Sequence, residues 1–195
     1  MTGTGMHHSV SADNKPRVCV FAGSSIGAKP AYSEQAVILG KSLAAQDIQL
    51  VYGGANIGLM GAVADAVLDN GGQVTGVFPR GLLQKESAHD HLTELVLVNS
   101  MHERKATMYS LATHFIALPG GLGTFEELME VLTWSQLGLH AKPCGLLNVD
   151  NYFKNFLATL RHAVTENFLE REQSRLLIVE DTAVSLLNQL QTVKT

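Results

Sequence analysis

From Arg17 onward, short apolar runs rich in β-branched residues alternate with longer stretches whose apolar positions recur three and four residues apart. Strands are predicted at Val18–Ala22, Gln49–Tyr52, Val74–Phe78, Leu95–Val98, Phe115–Leu118, Cys144–Val149 and Leu176–Val179. Between them the helical spacing predicts Ala31–Gln46, Leu59–Leu68, Glu103–Thr113, Phe125–Leu139, Tyr152–Asn167 and Thr182–Gln191. The first helix carries Ala36, Val37, Leu39, Leu43 and Ala44 on one stripe behind Pro30, and Gly71-Gly72 ends the second. Alternation of strands with helices along most of the chain implies an α/β fold, a mainly parallel sheet of about seven strands flanked by helices.

The 195 residues, 46% of them hydrophobic, suffice for one large core and are few for two. Residues 17–195 therefore read as one domain, and the polar segment 1–16 as a disordered tail without the apolar run of a secretory signal. His7 and His8 lie in that tail with no second ligand pair at metal-binding spacing, so no metal is expected. No apolar stretch reaches the roughly 20 residues of a membrane span, and Cys19 and Cys144 sit in strand-like runs as free core thiols. This composition points to a cytoplasmic protein. A net charge of −4 argues against general affinity for nucleic acid, so a phosphate would have to be held by a local set of donors.

Such donors are offered by three glycine-rich loops, each directly after a predicted strand: Gly23 to Gly27, Gly53 to Gly58, and Gly120 to Thr124. Any one of them could be only a tight turn. Their repetition at the carboxyl ends of the strands, where an open α/β sheet binds ligands, favours a nucleotide crevice. None has the P-loop lysine or the Gly-x-Gly-x-x-Gly spacing of a dinucleotide site, which leaves a mononucleotide.

Two helices carry candidate chemistry. The one beginning near Thr124 would turn its unpaired first-turn amides and positive dipole end toward Gly120, Gly121 and Gly123, an anion site on general grounds. Thr124-Phe125-Glu126-Glu127 also fits a capping box, in which Glu127 would merely serve the helix end. Ser100-Met101-His102-Glu103 fits a second box and is followed by Arg104 and Lys105, cations in the unfavourable first turn of a helix. They call for an anionic partner, and a phosphate or carboxylate would answer. Glu86, after Pro79-Arg80-Gly81, is a third polar candidate.

These residues form a recognisable set. Pro119-Gly120-Gly121-Leu122-Gly123-Thr124-Phe125-Glu126-Glu127 has the Pro-Gly-Gly-x-Gly-Thr-x-x-Glu form of the LONELY GUY family, and Met101-His102-Glu103-Arg104-Lys105 resembles its companion motif. Gly23-Ser24-Ser25 with Tyr32, Tyr52-Gly53-Gly54, Gly58-Leu59-Met60-Gly61 and Phe78-Pro79-Arg80 resemble the family in the same order, across about residues 17 to 150.

The resemblance implies a Rossmann-like, doubly wound homodimer that needs no cofactor and hydrolyses N6-modified adenosine 5′-monophosphates to free base and ribose 5-phosphate. It makes Arg104 and Glu127 the catalytic pair. It assigns substrate contacts to Glu86, Arg104, Lys105, the run Gly120, Gly121, Leu122, Gly123, Thr124, Phe125, Glu126 and Glu127, and Thr133, with Ser24, Gly54 and Met101 in the flanking motifs. In that chemistry Glu127 would stabilise oxocarbenium character on the ribose and activate water, while Arg104, too basic to give up a proton, would orient the nucleotide. Many relatives carry a lysine decarboxylase label, which nothing in these motifs supports. Two other functions stay open: an AMP or pyrimidine nucleotide nucleosidase on the same framework, and a nucleotide-binding module without catalysis. Met101, Met108, Leu122 and Trp134 could wall a base pocket, but each is expected in the core.

Overall fold

The structure is a computed structural model and describes residues 15–83 and 87–193. Its strands are β1 (Arg17–Phe21), β2 (Gln49–Tyr52), β3 (Val74–Pro79), β4 (Glu94–Val98), β5 (His114–Ala117), β6 (Cys144–Leu147) and β7 (Leu177–Glu180). The helices are α1 (Pro30–Ala45), α2 (Gly58–Leu68), α3 (Met101–Leu111), α4 (Leu122–Gln136), α5 (Lys154–Thr165) and α6 (Ala183–Thr192). Each predicted element is present, displaced by at most a few residues at its ends. Lys15 and Pro16, assigned with the tail, are held: Lys15 pairs with Asp47 at 2.9 Å and the Pro16 carbonyl accepts the Gln49 amide.

The strands form a single seven-stranded sheet in the order β4-β3-β2-β1-β5-β6-β7, parallel throughout. Winding runs outward from β1 in both directions, so the chain reverses between β1 and β5. That reversal leaves a crevice between the loops following the two strands.

Alternation along the strands sends side chains to opposite faces. Val18, Val20, Leu50, Tyr52, Ile116 and Leu118 join α1, α2 and α6 in one core cluster. Cys19, Phe21, Val51, Phe115, Ala117 and Leu146 join α3 and α4, with Phe153 at the entrance of α5, in the other. Both cysteines are buried and free, as expected from their apolar neighbours.

The terminal shifts have local causes. Asn148 follows the end of β6, its amide still donating to the Glu180 carbonyl of β7 at 2.8 Å. Its Oδ1 accepts the Phe153 amide at 2.9 Å, and Asp150 and Asn151 then take left-handed φ of 52° and 59°. α3 starts at Met101 behind a real capping box: the Glu103 amide donates to Ser100 Oγ at 3.1 Å and the Asn99 amide to Glu103 Oε2 at 2.7 Å. α4 starts at Leu122, three residues before the predicted Phe125, with Gly121 as its N-cap.

Glycine fixes how the loop after β1 meets α2. Gly58 has φ +59, and a Cβ on it would lie 2.3 Å from the Ser24 carbonyl carbon and 2.4 Å from the Ser25 nitrogen. The amide of Leu59 in turn donates to the Gly23 carbonyl at 3.0 Å. Gly58→Ala must therefore strain φ and push two backbone segments apart, at a cost of at least about 2 kcal/mol. Thermal unfolding is expected to show a fall in Tm of roughly 5 °C or more; a Tm within a degree of the parent would contradict this packing.

Candidate active site

At the reversal between β1 and β5 the loops following these strands touch. The Gly23 amide donates to the Pro119 carbonyl at 3.1 Å, and a Cβ on Gly23 would lie 3.1 Å from the Gly120 Cα. Above them opens a cleft of about 310 Å³ lined by Ala22, Gly23, Ser24, Met60, Leu82, Met101, Arg104, Gly121, Leu122, Gly123, Thr124, Glu126 and Glu127. The first turns of α3 and α4 thus meet over the carboxyl ends of the sheet.

Arg104 is held from below by main-chain oxygens. Its Nε donates to the Val77 carbonyl of β3 at 3.2 Å, and Nη2 donates to the Gly53 carbonyl after β2 at 3.0 Å. Nη1 lies 3.9 Å from Met101 Sδ. A Cβ on Gly53 would stand 1.7 Å from Nη2, so only glycine admits the guanidinium here. The planar fork is thus held by carbonyls from two neighbouring strand segments.

Glu127 faces the same cleft one turn into α4 and is mostly enclosed. Burial pushes its carboxyl up to about 7, with the Arg104 and Lys105 charges pulling the other way and Glu126 and Glu130 adding to the rise. A carboxyl poised there exchanges a proton at neutral pH, as a base working on water must.

The expected capping box at Thr124 is not formed. Thr124 lies inside the first turn and is buried, its Oγ1 turned toward Gly120, where a Cβ would come within 2.1 Å of it. Gly121 at the N-cap has no side chain to offer the helix, so the box fails for want of a hydroxyl at the right position. Glu127 is consequently free of any capping duty, and the first-turn amides of α4 have no partner within the helix.

Lys105 departs from expectation in a different way. Its ammonium is paired with Glu126 and, at 3.0 Å, with Glu130, both from α4, and the side chain is only 12% exposed. Tyr109 donates to the same Glu130 at 2.8 Å. The anion that the basic pair called for is supplied by the protein itself, and Lys105 braces α3 against α4.

Other expected site residues are distributed unevenly. Ser24, Met101 and the run Gly121–Thr124 line the cleft with Glu126, while Gly120 lines the neighbouring hollow beside Tyr32 and Tyr152. Phe125 is turned into the core against Phe153 and Phe156, because its position on α4 faces the sheet side of the helix. Thr133, over two turns further on, faces Met129 and Leu160 on the outer side of α4. Gly54 is buried with φ +79 against Phe78, and its carbonyl accepts the His89 amide at 2.9 Å, beneath the cleft. Glu86 lies outside the described residues.

Of the four side chains expected in the core, Met108 is buried and Trp134 packs edge-on against Tyr109. Met101, 46% exposed, and Leu122, 90% exposed, are not: each opens the first turn of a helix above the sheet and stands at the cleft mouth. The motifs did not reveal that Gly53 and Val77 hold Arg104, since carbonyl acceptors leave no trace in residue type. Tyr152, whose hydroxyl reaches the Gly120 carbonyl, carried no sequence signal either.

The chain can now be set beside known proteins. Residues 60–190 match the family model described as "Possible lysine decarboxylase". Over 175 residues the chain is 49% identical to the cytokinin riboside 5′-monophosphate phosphoribohydrolase LOG of Oryza sativa subsp. japonica, covering 90% of this chain and 72% of that one. It is 48% identical to a cytokinin riboside 5′-monophosphate phosphoribohydrolase of Arabidopsis thaliana, covering 90% and 81%. The chain belongs to the LONELY GUY family.

The fold extends more widely than the family. The molybdenum cofactor binding protein from Rippkaea orientalis superposes with a TM-score of 0.70 at 21% identity, over 93% of this chain and 98% of that one. The molybdenum cofactor carrier protein from Chlamydomonas reinhardtii gives 0.69 at 20% identity, over 92% and 99%. Likeness at that level concerns architecture alone. A pyridoxal cofactor, which the decarboxylase wording of the family model would call for, is held through its aldehyde by a lysine amine. Among the described residues the cleft lining contains no lysine, and Lys105 beside it is tied to two glutamates.

Proposed function

We propose that this protein hydrolyses the N-glycosidic bond of N6-modified adenosine 5′-monophosphates, releasing the free base and ribose 5-phosphate. One observation carries the reading: a proton-exchanging carboxyl, Glu127, and an immobilised guanidinium, Arg104, line one cleft beside the amide end of α4. The curated relatives, named for this reaction, support the same substrate class.

In this mechanism the phosphate binds the amides of the Gly120–Thr124 run, and its binding energy positions the ribose. Glu127 takes a proton from water as the water oxygen bonds to the anomeric carbon. The C–N bond breaks and its electron pair leaves with the base nitrogen, which takes a proton from solvent, and Glu127 then returns to solvent the proton it took from the attacking water. Positive character on the ribose is stabilised by the adjacent carboxylate, and Arg104 donates hydrogen bonds to the departing base. Lys105 contributes by holding α3 and α4 together rather than by touching phosphate. Ser24, Met101 and Leu122 would face the sugar and the base. The exposed apolar side chains Met101 and Leu122 at the mouth, and Met129 on the outer side of α4, suit a second copy of the chain, in keeping with a homodimer. No helix among the described residues is long and apolar enough to cross a membrane, and the free thiols agree with a cytoplasmic setting.

Incubation with AMP and with an N6-prenylated AMP, followed by assay of ribose 5-phosphate, tests the proposal. Release from both is expected, with kcat/KM higher for the prenylated substrate by at least about tenfold, the worth of a few buried methylenes. Equal efficiency on the two would identify a general nucleotide nucleosidase. Release from neither would leave a binding module and overturn the proposal.

A further inference from the structure

On the far side of Gly120 from the catalytic pair lies a second hollow of about 380 Å³, sharing Gly23, Ser24 and Gly121 with the cleft and walled by Tyr32 and Tyr152. Here the Tyr152 hydroxyl donates to the Gly120 carbonyl, and its ring meets that of Tyr32 edge-on with centroids 5.6 Å apart. We propose that Tyr152 is a positioning residue for phosphate, anchoring the Gly120 carbonyl so that the Gly121 amide is aimed at the anion.

The geometry follows from the planarity of the peptide bond. The carbonyl of Gly120 and the N–H of Gly121 belong to one trans peptide unit and point in opposite directions. A hydrogen bond that fixes the carbonyl on the Tyr152 side therefore fixes the amide on the other. Glycines on both sides of this unit make it free to rotate, and no other protein donor to the Gly120 carbonyl is present among the described residues. Without an anchor, the amide would be lost to the site for part of the time.

The segment that delivers Tyr152 is built to hold one position. Asp150 and Asn151 both take left-handed φ, a conformation that these two residue types adopt more readily than other non-glycine residues. The turn is tied on both sides: Asn148 Oδ1 accepts the Phe153 amide at 2.9 Å, and Lys29 pairs with Asp150 at 2.9 Å. Phe153 behind it is fully buried and stacks edge-on with Tyr152 at 4.8 Å. A turn of two left-handed residues thus sets a single hydroxyl against a glycine-glycine peptide.

The proposal rests on the Gly120–Thr124 run being the phosphate cradle, so the test separates the two claims. In Tyr152→Phe the ring contacts remain and only the hydroxyl is lost. The dissociation constants of inorganic phosphate and of ribose 5-phosphate are expected to rise about five- to tenfold, the range for one neutral hydrogen bond. KM for AMP should rise by the same factor while kcat stays within about twofold, because the reacting groups are untouched. Unchanged phosphate affinity in the variant overturns the positioning role, even if AMP hydrolysis is confirmed. A parent protein that binds phosphate yet releases no ribose 5-phosphate overturns the hydrolase reading and leaves the affinity ratio to judge Tyr152. A parent that binds neither phosphate nor ribose 5-phosphate overturns both. A variant that fails to fold, or that loses kcat and KM together, assigns the hydroxyl to stability and likewise overturns the proposal.

Discussion

Glu127→Gln is expected to lower kcat for nucleotide hydrolysis by about a thousandfold while leaving the fold intact, the scale of removing a positioned general base. The amide fills the same space, and α4 loses nothing at its start because its N-cap is Gly121 rather than a box closed by Glu127. The pH profile should change as well. Burial pushes the Glu127 carboxyl up to about 7, so the ionised, working form gains population as pH rises through neutrality. In the parent, kcat/KM should climb up to about pH 7 and level off above it, and this step should vanish from the residual activity of the variant. Stability runs in the opposite sense. A carboxyl whose folded pKa lies above its unfolded value binds more protons when folded, so stability declines as pH rises from the ordinary carboxylate range through about 7. Glu127→Gln should therefore raise Tm at pH 8 more than at pH 5. A variant with near-parental turnover would remove Glu127 from the mechanism.

A loss of similar size is expected from two different substitutions acting on one guanidinium. Arg104→Ala deletes it and should reduce kcat/KM at least about a hundredfold, as for other preorganised donors. Gly53→Ala keeps the arginine but places a methyl group where its Nη2 now sits, at 1.7 Å. The far end of an arginine moves aside easily, so this chain should fold with Arg104 displaced from the Gly53 and Val77 carbonyls and should lose activity nearly as fully. Because both changes act through the same group, combining them should add little to either alone. Circular dichroism would check the fold and steady-state kinetics the rates. A Gly53→Ala enzyme with parental kcat/KM would show that the anchored position of Arg104 is not the active one.

Most of the framework was legible because it is written in periodicity. Runs such as Val18–Val20 and Phe115–Leu118 are apolar on successive residues, as a strand covered on both faces requires, and the glycine loops marked where β1, β2 and β5 give way to helices. The ends were less legible for reasons of chemistry. Thr124 is the better capping residue by type, yet the helix begins behind Gly121, since the tight contact of Gly120 with Thr124 takes the hydroxyl into the interior. The site was legible as a set of residue types but not as a set of partners. Arg104 and Lys105 are adjacent and equally charged, and nothing in their order says that one meets two carbonyls and the other two glutamates. Tyr152 was hidden because its partner is a backbone oxygen, which leaves no mark in residue type.

The division of labour around the mouth bears on how such an enzyme can change its diet. Leu122 is 90% exposed and contributes almost nothing to the interior, whereas Arg104, proposed to act on the departing base, is held by the Val77 and Gly53 carbonyls behind it. Substitutions at that lip can retune which base is welcomed at little expense to folding, so new preferences can arise by drift on an unaltered reaction centre.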